Sequence, residues 1–116
     1  MTTYENLKAW EKAMELAAAF YEVSQRWPTA ERFGLTAQVR RAAVSVPSNI
    51  AEGQGRASRA DRMHFLHTAR GSLFELQTQL KLAKRLDYTI HNDPLPLSNQ
   101  TLRLINGLIR HYKQAP

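Results

Sequence analysis

Apolar side chains recur at intervals of three and four residues through most of this chain, and the pattern predicts four amphipathic helices. The first is expected from about Glu5 to Arg26. Leu7, Trp10, Met14, Ala17, Tyr21 and Ser24 form one ladder along it, while Ala9, Ala13, Leu16, Phe20, Val23 and Trp27 form a second beside it. Two adjacent ladders exceed what one side of a small bundle needs. They predict a helix packed on two sides, within its own subunit and against another, with Trp10, Phe20, Tyr21 and Trp27 as candidate oligomer contacts. The plainer alternative is one wide stripe buried inside a monomer. Glu5, Lys8, Glu11, Lys12, Glu15 and Glu22 fill the remaining, solvated face. The helix ends at Trp27, Pro28 and Thr29, because the residue before a proline avoids the helical region.

A short connection follows, which implies that the first two helices are antiparallel neighbours. In the second, Val39, Ala43, Val46 and Ile50 share one face, with Thr36 as the expected N-cap and Gly53 as the residue just past the end. Pro47 lies inside. It removes one backbone donor and crowds the carbonyl of Ala43, so a kink is expected. Ser45, Ser48 and Asn49 are placed to bond the freed backbone groups; the sharper alternative is a ligand notch at Ser48, Asn49 and Glu52.

Beyond the Gly53 to Gly55 corner, Ser58 and Asp61 make a capping-box-like start to a third helix, about Arg59 to Leu86. Leu66, Ala69, Leu73, Leu76, Leu80 and Ala83 form its seam. Gly71 and Ser72 in mid-helix imply the close approach of a neighbour, with a flexible hinge as the alternative. Tyr88 to Leu97, with two prolines, is the longest loop. Ser98 then caps a last helix carrying Leu102, Ile105, Ile109 and Tyr112 inward and Arg103, Arg110 and Lys113 outward. No strand alternation, repeat or linker interrupts the series. The expected fold is all-α, an antiparallel up-down four-helix bundle with a proline-kinked second helix, one domain over residues 1–116.

Charge changes the picture more than composition does. Hydrophobic residues make up 43% and charged residues 22% of the 116, ordinary values for a globular chain. Cysteine is absent, which excludes disulfides and thiolate metal sites. The amino terminus lacks a signal-peptide pattern and no apolar run reaches membrane-span length, so a cytoplasmic location and no membrane are expected. The net charge is +6 and the isoelectric point about 10.1. The excess is uneven: residues 31–62 hold six basic against three acidic, and residues 94–116 hold three basic and no acidic. Such a field favours polyanions.

Arg56, Arg59 and Arg62 crowd the start of the third helix, where cations are disfavoured by the helix dipole. That arrangement suits an arriving phosphate, although Glu52 and Asp61 offer local neutralisation instead. Asp61, His64 and His67 at spacings of three invite a metal test, but the three drift around the helix and no HExxH or Glu-x-x-His pair accompanies them. No metal and no cofactor is expected. His91 and His111 stand alone.

The run RRAAVSVPSNIAEGQGR, Arg40 to Arg56, and the spacing of FL..A.GSL.EL.TQL.LA from Phe65 to Ala83 resemble the four-helix-bundle proteins encoded by intervening sequences of 23S ribosomal RNA genes. The opening YENLKAWEKA matches as well, so the likeness covers nearly the whole chain. The resemblance implies a small bacterial cytosolic bundle that assembles into a closed ring, a homopentamer, with nucleic-acid binding as the suggested role. The family is also similar to accessory proteins of diversity-generating retroelements, which work with a reverse transcriptase and RNA.

The expected function is therefore noncatalytic: an oligomeric basic bundle that binds RNA or DNA backbone, or acts as a scaffold. Arg40, Arg41, Arg56, Arg59 and Arg62, supported by Arg103, Arg110 and Lys113, are the candidate phosphate contacts. A protein-interaction ring with a partner such as a polymerase is the alternative. A phosphate-ester enzyme using Glu52 or His64 as base lacks paired carboxylates, an activated nucleophile and a phosphate-binding glycine loop.

Overall fold

Each periodic stretch becomes a helix in the computed structural model, which describes residues 3–114. The helices are α1 (Lys8–Ser24), α2 (Leu35–Gln54), α3 (Arg59–Arg85) and α4 (Leu95–Gln114), with short 3₁₀ turns at Tyr4–Asn6 and Thr29–Glu31. Among the described residues there is no strand. All four helices contribute to one buried cluster, which makes the molecule a four-helix bundle.

The inward ladders are those that periodicity selects. Ala9, Ala13, Leu16, Phe20 and Val23 of α1 are buried against Val39, Ala43, Val46 and Ile50 of α2, the Leu66 to Ala83 seam of α3, and Ile105 and Ile109 of α4. The other ladder of α1 stays nearer the surface except at its end: Met14 and Tyr21 are exposed and Trp10 half-buried, whereas Ser24 is buried. Two candidate oligomer contacts are thereby corrected. Phe20 is fully enclosed and Trp27 is 5% exposed, so both serve the chain's own core.

Several helix ends also differ from expectation. Leu7 is extended and separates α1 from the Tyr4–Asn6 turn. Thr36 is not the cap of α2; it is inside the helix, and the Leu35 amide donates instead to the Glu31 carboxylate at 3.2 Å. Gly53 does not follow α2 but lies in its last turn, where a Cβ would stand 3.0 Å from the Cβ of Phe65, so α2 and α3 pass closely there. Of the pair Gly71 and Ser72 only Ser72 marks a close approach, its Oγ lying 2.8 Å from Ser45 Oγ of α2, whereas a Cβ on Gly71 meets nothing within 4 Å. Ser98 is buried in the interior of α4, and the Leu95 amide donates to Asp93 Oδ1 at 3.0 Å. Partial burial works against the Asp93 charge, but the Lys84 ammonium at 2.6 Å and the Leu95 amide prevail and hold its carboxyl below the ordinary value.

The expected cap of α3 is present: Ser58 Oγ accepts from the Asp61 amide at 3.1 Å. Its C-terminus closes on Asp87, whose φ of 58° places it in the left-handed region, and the Tyr88 amide reaches back to the Ala83 carbonyl at 3.0 Å. That is the reverse-turn closure usually given to glycine. Pro47 is buried inside α2. Beside it Asn49 donates to the Ser45 carbonyl at 2.8 Å and to Ser45 Oγ at 2.9 Å, and Ser45 Oγ shares a hydrogen bond with Ser72 Oγ of α3 at 2.8 Å. The polar groups around the proline therefore serve the backbone and the α2–α3 seam.

Side-chain contacts tie both ends of the bundle. At one end Trp27 Nε1 donates to the Thr89 carbonyl at 3.2 Å, joining the α1–α2 connection to the α3–α4 connection. At the other, Tyr112 Oη donates to Gln54 Oε1 at 3.0 Å, which sets the last turn of α4 against the α2–α3 corner.

Candidate nucleic-acid interface

The α2–α3 corner is tight because Gly53 admits Phe65, and that ring becomes a platform for one of the corner's arginines. The Arg56 guanidinium lies over Phe65, 4.8 Å from its centroid. Arg62 donates through Nε to the Arg56 carbonyl at 2.8 Å and covers the Tyr112 ring at 5.5 Å. Stacking occupies the face of a guanidinium and leaves N–H groups on its edge to donate. Arg59 is exposed in the first turn of α3, and Lys113 is exposed in the last turn of α4 beside Tyr112. Three of the expected arginines and the terminal lysine thus gather at one end of the bundle, two of them held in place by aromatic rings.

Arg40 and Arg41 do not join them. Arg40 donates to Ser24 Oγ at 3.0 Å and to the Tyr21 carbonyl at 3.2 Å, and covers the Tyr21 ring at 4.9 Å. It joins the last turn of α1, adding a charged donor to the Tyr21 carbonyl, which also accepts from Ser24 Oγ at 3.1 Å. Along a helix rising 1.5 Å per residue, Arg40 is roughly 24 Å from Arg56. Arg41 is exposed next to it.

Arg103 and Arg110 are exposed on α4 and line the seam with α1, where Lys8 and Lys12 face them across a groove. The sequence reading assigned both lysines to a solvated face and missed this pairing. Their spacing of four, matching the exposed side of α4, is the signal that locates them.

The notch expected at Ser48, Asn49 and Glu52 does not assemble, because Asn49 turns to its own backbone. Ser48 instead lies on a shallow depression of about 390 Å³ with Pro47, Val44, Trp10 and Met14. Of the histidines, His67 Nδ1 is hydrogen-bonded to the Arg70 guanidinium at 3.0 Å and His64 packs edge-on against Phe65. Among the described residues no group of three or more His, Asp and Glu converges as metal ligands. Nor, among these, is any helix long and apolar enough to cross a membrane.

A helical bundle with arginines stacked at one corner and a basic groove along one flank defines a class of small basic α-proteins. Within that class the chain belongs to the 23S rRNA-intervening sequence protein family, whose sequence pattern matches residues 5–110. The fold is shared with a crystal structure from Bacteroides thetaiotaomicron, described as a protein with unknown function from the S23 ribosomal protein family. The two agree with a TM-score of 0.77 at 23% identity, over 88% of this chain and 95% of that one. Among curated proteins none matches.

Proposed function

We propose that this chain is a noncatalytic cytoplasmic scaffold that binds the phosphate backbone of nucleic acid through the α2–α3 corner, acting as a homo-oligomer. The observation that carries the reading is the pair Arg56 and Arg62, each with its guanidinium over an aromatic ring and neighboured by Arg59 and Lys113. Cations ordered before the ligand arrives lose less rotamer freedom on binding than free ones. The 23S rRNA description of the family makes RNA the first polyanion to try. For assembly, the half-exposed ladder of α1, Trp10 and Tyr21 with Met14, and Val44 of α2 supply the uncovered apolar surface, and the family resemblance implies a pentamer. A ring would present several copies of the corner and multiply a weak contact by avidity.

The test is binding of a labelled structured RNA and a matched duplex DNA at low and near-physiological salt, with the mass of the protein recorded on the same sample. Expected is an oligomer whose affinity falls steeply with salt and changes little with sequence. Replacing Arg56, Arg59 and Arg62 with Gln should flatten the salt slope by about one per phosphate contact removed. Unchanged binding would move the surface elsewhere, and no binding at low salt ends the nucleic-acid reading.

A further inference from the structure

The flank between α1 and α4 has a different chemistry from the corner. Two depressions of about 360 and 370 Å³ run end to end along it, sharing Lys8, Arg103 and Leu104. On the α4 side the groove extends from Gln100 to Arg110, about 15 Å at 1.5 Å per residue, or nearly three helical turns. Its floor is apolar: Leu104 and Leu108 are half-buried there. Its walls are Lys8 and Lys12 on one side and Arg103 and Arg110 on the other, with Glu11 the one acid in the lining and Lys12 paired with Glu15 at 3.2 Å just outside it. No acidic residue follows Asp93 in the chain, so the α4 wall is wholly basic.

Gly107 is the telling residue. It sits in the middle of α4, where glycine is a poor helix former. The fold does not require it, for a Cβ there would meet only the Arg110 guanidinium, at an ordinary 3.8 Å. A glycine with no packing neighbour of its own, set between Leu104 and Leu108, widens the groove and leaves room for something laid along it.

We infer that the α1–α4 groove is a docking site for an acidic amphipathic helix of a protein partner. Such a helix lays its apolar ridge on Leu104 and Leu108 over Gly107, while its flanking carboxylates meet Lys8, Arg103 and Arg110. Nucleic acid fits less well. A leucine floor offers phosphate and sugar no partner, whereas helix-in-groove recognition uses both the floor and the charged walls.

The probe is a fluorescein-labelled peptide of about 14 residues, alternating pairs of leucine and glutamate, which forms an acidic amphipathic helix. It is titrated into the full chain while amide resonances are followed. The expected result is saturable binding with shifts centred on Lys8, Lys12 and Gln100 to Arg110, and no binding of the counterpart carrying lysine for glutamate. Gly107→Leu extends a side chain from a position whose Cβ meets only Arg110, and it and the pair Lys8→Glu with Arg103→Glu should each weaken the peptide by about tenfold or more, with an unchanged helical circular dichroism spectrum showing that the fold is kept. Substituting Arg56, Arg59 and Arg62 with Gln should leave peptide affinity unchanged, which separates this site from the corner. The inference is overturned by no saturable binding, by shifts elsewhere, or by equal binding of the lysine peptide. It is equally overturned if structured RNA displaces the peptide from the groove, or if Gly107→Leu alters the mass of the protein in solution, which would make the groove a subunit contact.

Discussion

Tyr88 Oη donates to Glu31 Oε2 at 2.7 Å across 57 residues of sequence, clasping the two connections at one end of the bundle. The same carboxylate accepts the Leu35 amide and so caps α2. One acid therefore fixes both the entry to α2 and the exit from α3.

The pH dependence of this clasp follows from its two partners. The hydrogen bond from Tyr88, and then that from the Leu35 amide, hold the Glu31 carboxyl below its ordinary value of 4.5, while the bond to Glu31 raises the Tyr88 hydroxyl above 10.0. A lowered carboxyl contributes stability above its unfolded pKa and loses it as pH falls through the folded one. A raised hydroxyl contributes below its unfolded pKa and loses it as pH rises through the folded one. Tyr88→Phe should therefore be most destabilising between about pH 5 and 9 and converge on the parent at both extremes. Urea midpoints measured from about pH 3 to about pH 11, beyond both ends of that plateau, check it; a gap that stays constant over the whole span would mean that packing of the ring, not its hydroxyl, matters.

Two glycines should respond oppositely to alanine. At Gly53 the new methyl meets Phe65 Cβ at 3.0 Å and the Arg62 carbonyl at 3.4 Å, atoms fixed by backbone, so α2 and α3 must part at a loss of about 1–3 kcal/mol. At Gly71 the methyl meets open space, and the gain in helix propensity should stabilise by up to about 1 kcal/mol. Thermal denaturation of the two variants side by side is sufficient.

Arg40→Met should reduce stability by about 1–2 kcal/mol, because Ser24 and the Tyr21 carbonyl lose a charged donor. RNA affinity and its salt slope should stay as in the parent. The converse holds for the arginines of the corner, whose replacement with Gln acts on binding first.

Gln79 is buried and its Oε1 has no hydrogen-bond partner, although Nε2 donates to Glu75 at 3.2 Å. Replacement of the half-satisfied amide by Met, similar in length, removes a buried acceptor and should stabilise the chain by about 1 kcal/mol. Chemical denaturation reads the sign directly.

The interior of this protein is written in its periodicity. The Leu66 to Ala83 seam, the Val39 to Ile50 face and the inner ladder of α1 are buried as their spacing requires, since a residue's place around a helix depends only on its number along it. Helix ends were harder to read because distant side chains decide them. Glu31 displaces Thr36 as the cap of α2, Asp93 displaces Ser98 at α4, and Asp87 closes α3 in a conformation that no glycine announces. The site divided in the same way. Arg56, Arg59 and Arg62 lie close in sequence and gather in space, whereas Arg40 is drawn to the end of α1 by Ser24, and Lys8 and Lys12 join Arg103 only because α1 and α4 are neighbours.

The two tryptophans occupy opposite kinds of place, and this turns the protein into its own spectroscopic instrument. Trp27 is sealed at 5% exposure with its indole N–H on the Thr89 carbonyl, so its emission is expected far to the blue and shifts only when the clasped end opens. Trp10 is half-buried on the flank, edge-on to Tyr4 at 5.3 Å, and its emission responds to whatever covers that face. With Trp10→Phe and Trp27→Phe each supplying a single-indole protein, unfolding and surface coverage become two separate optical signals from one unlabelled chain.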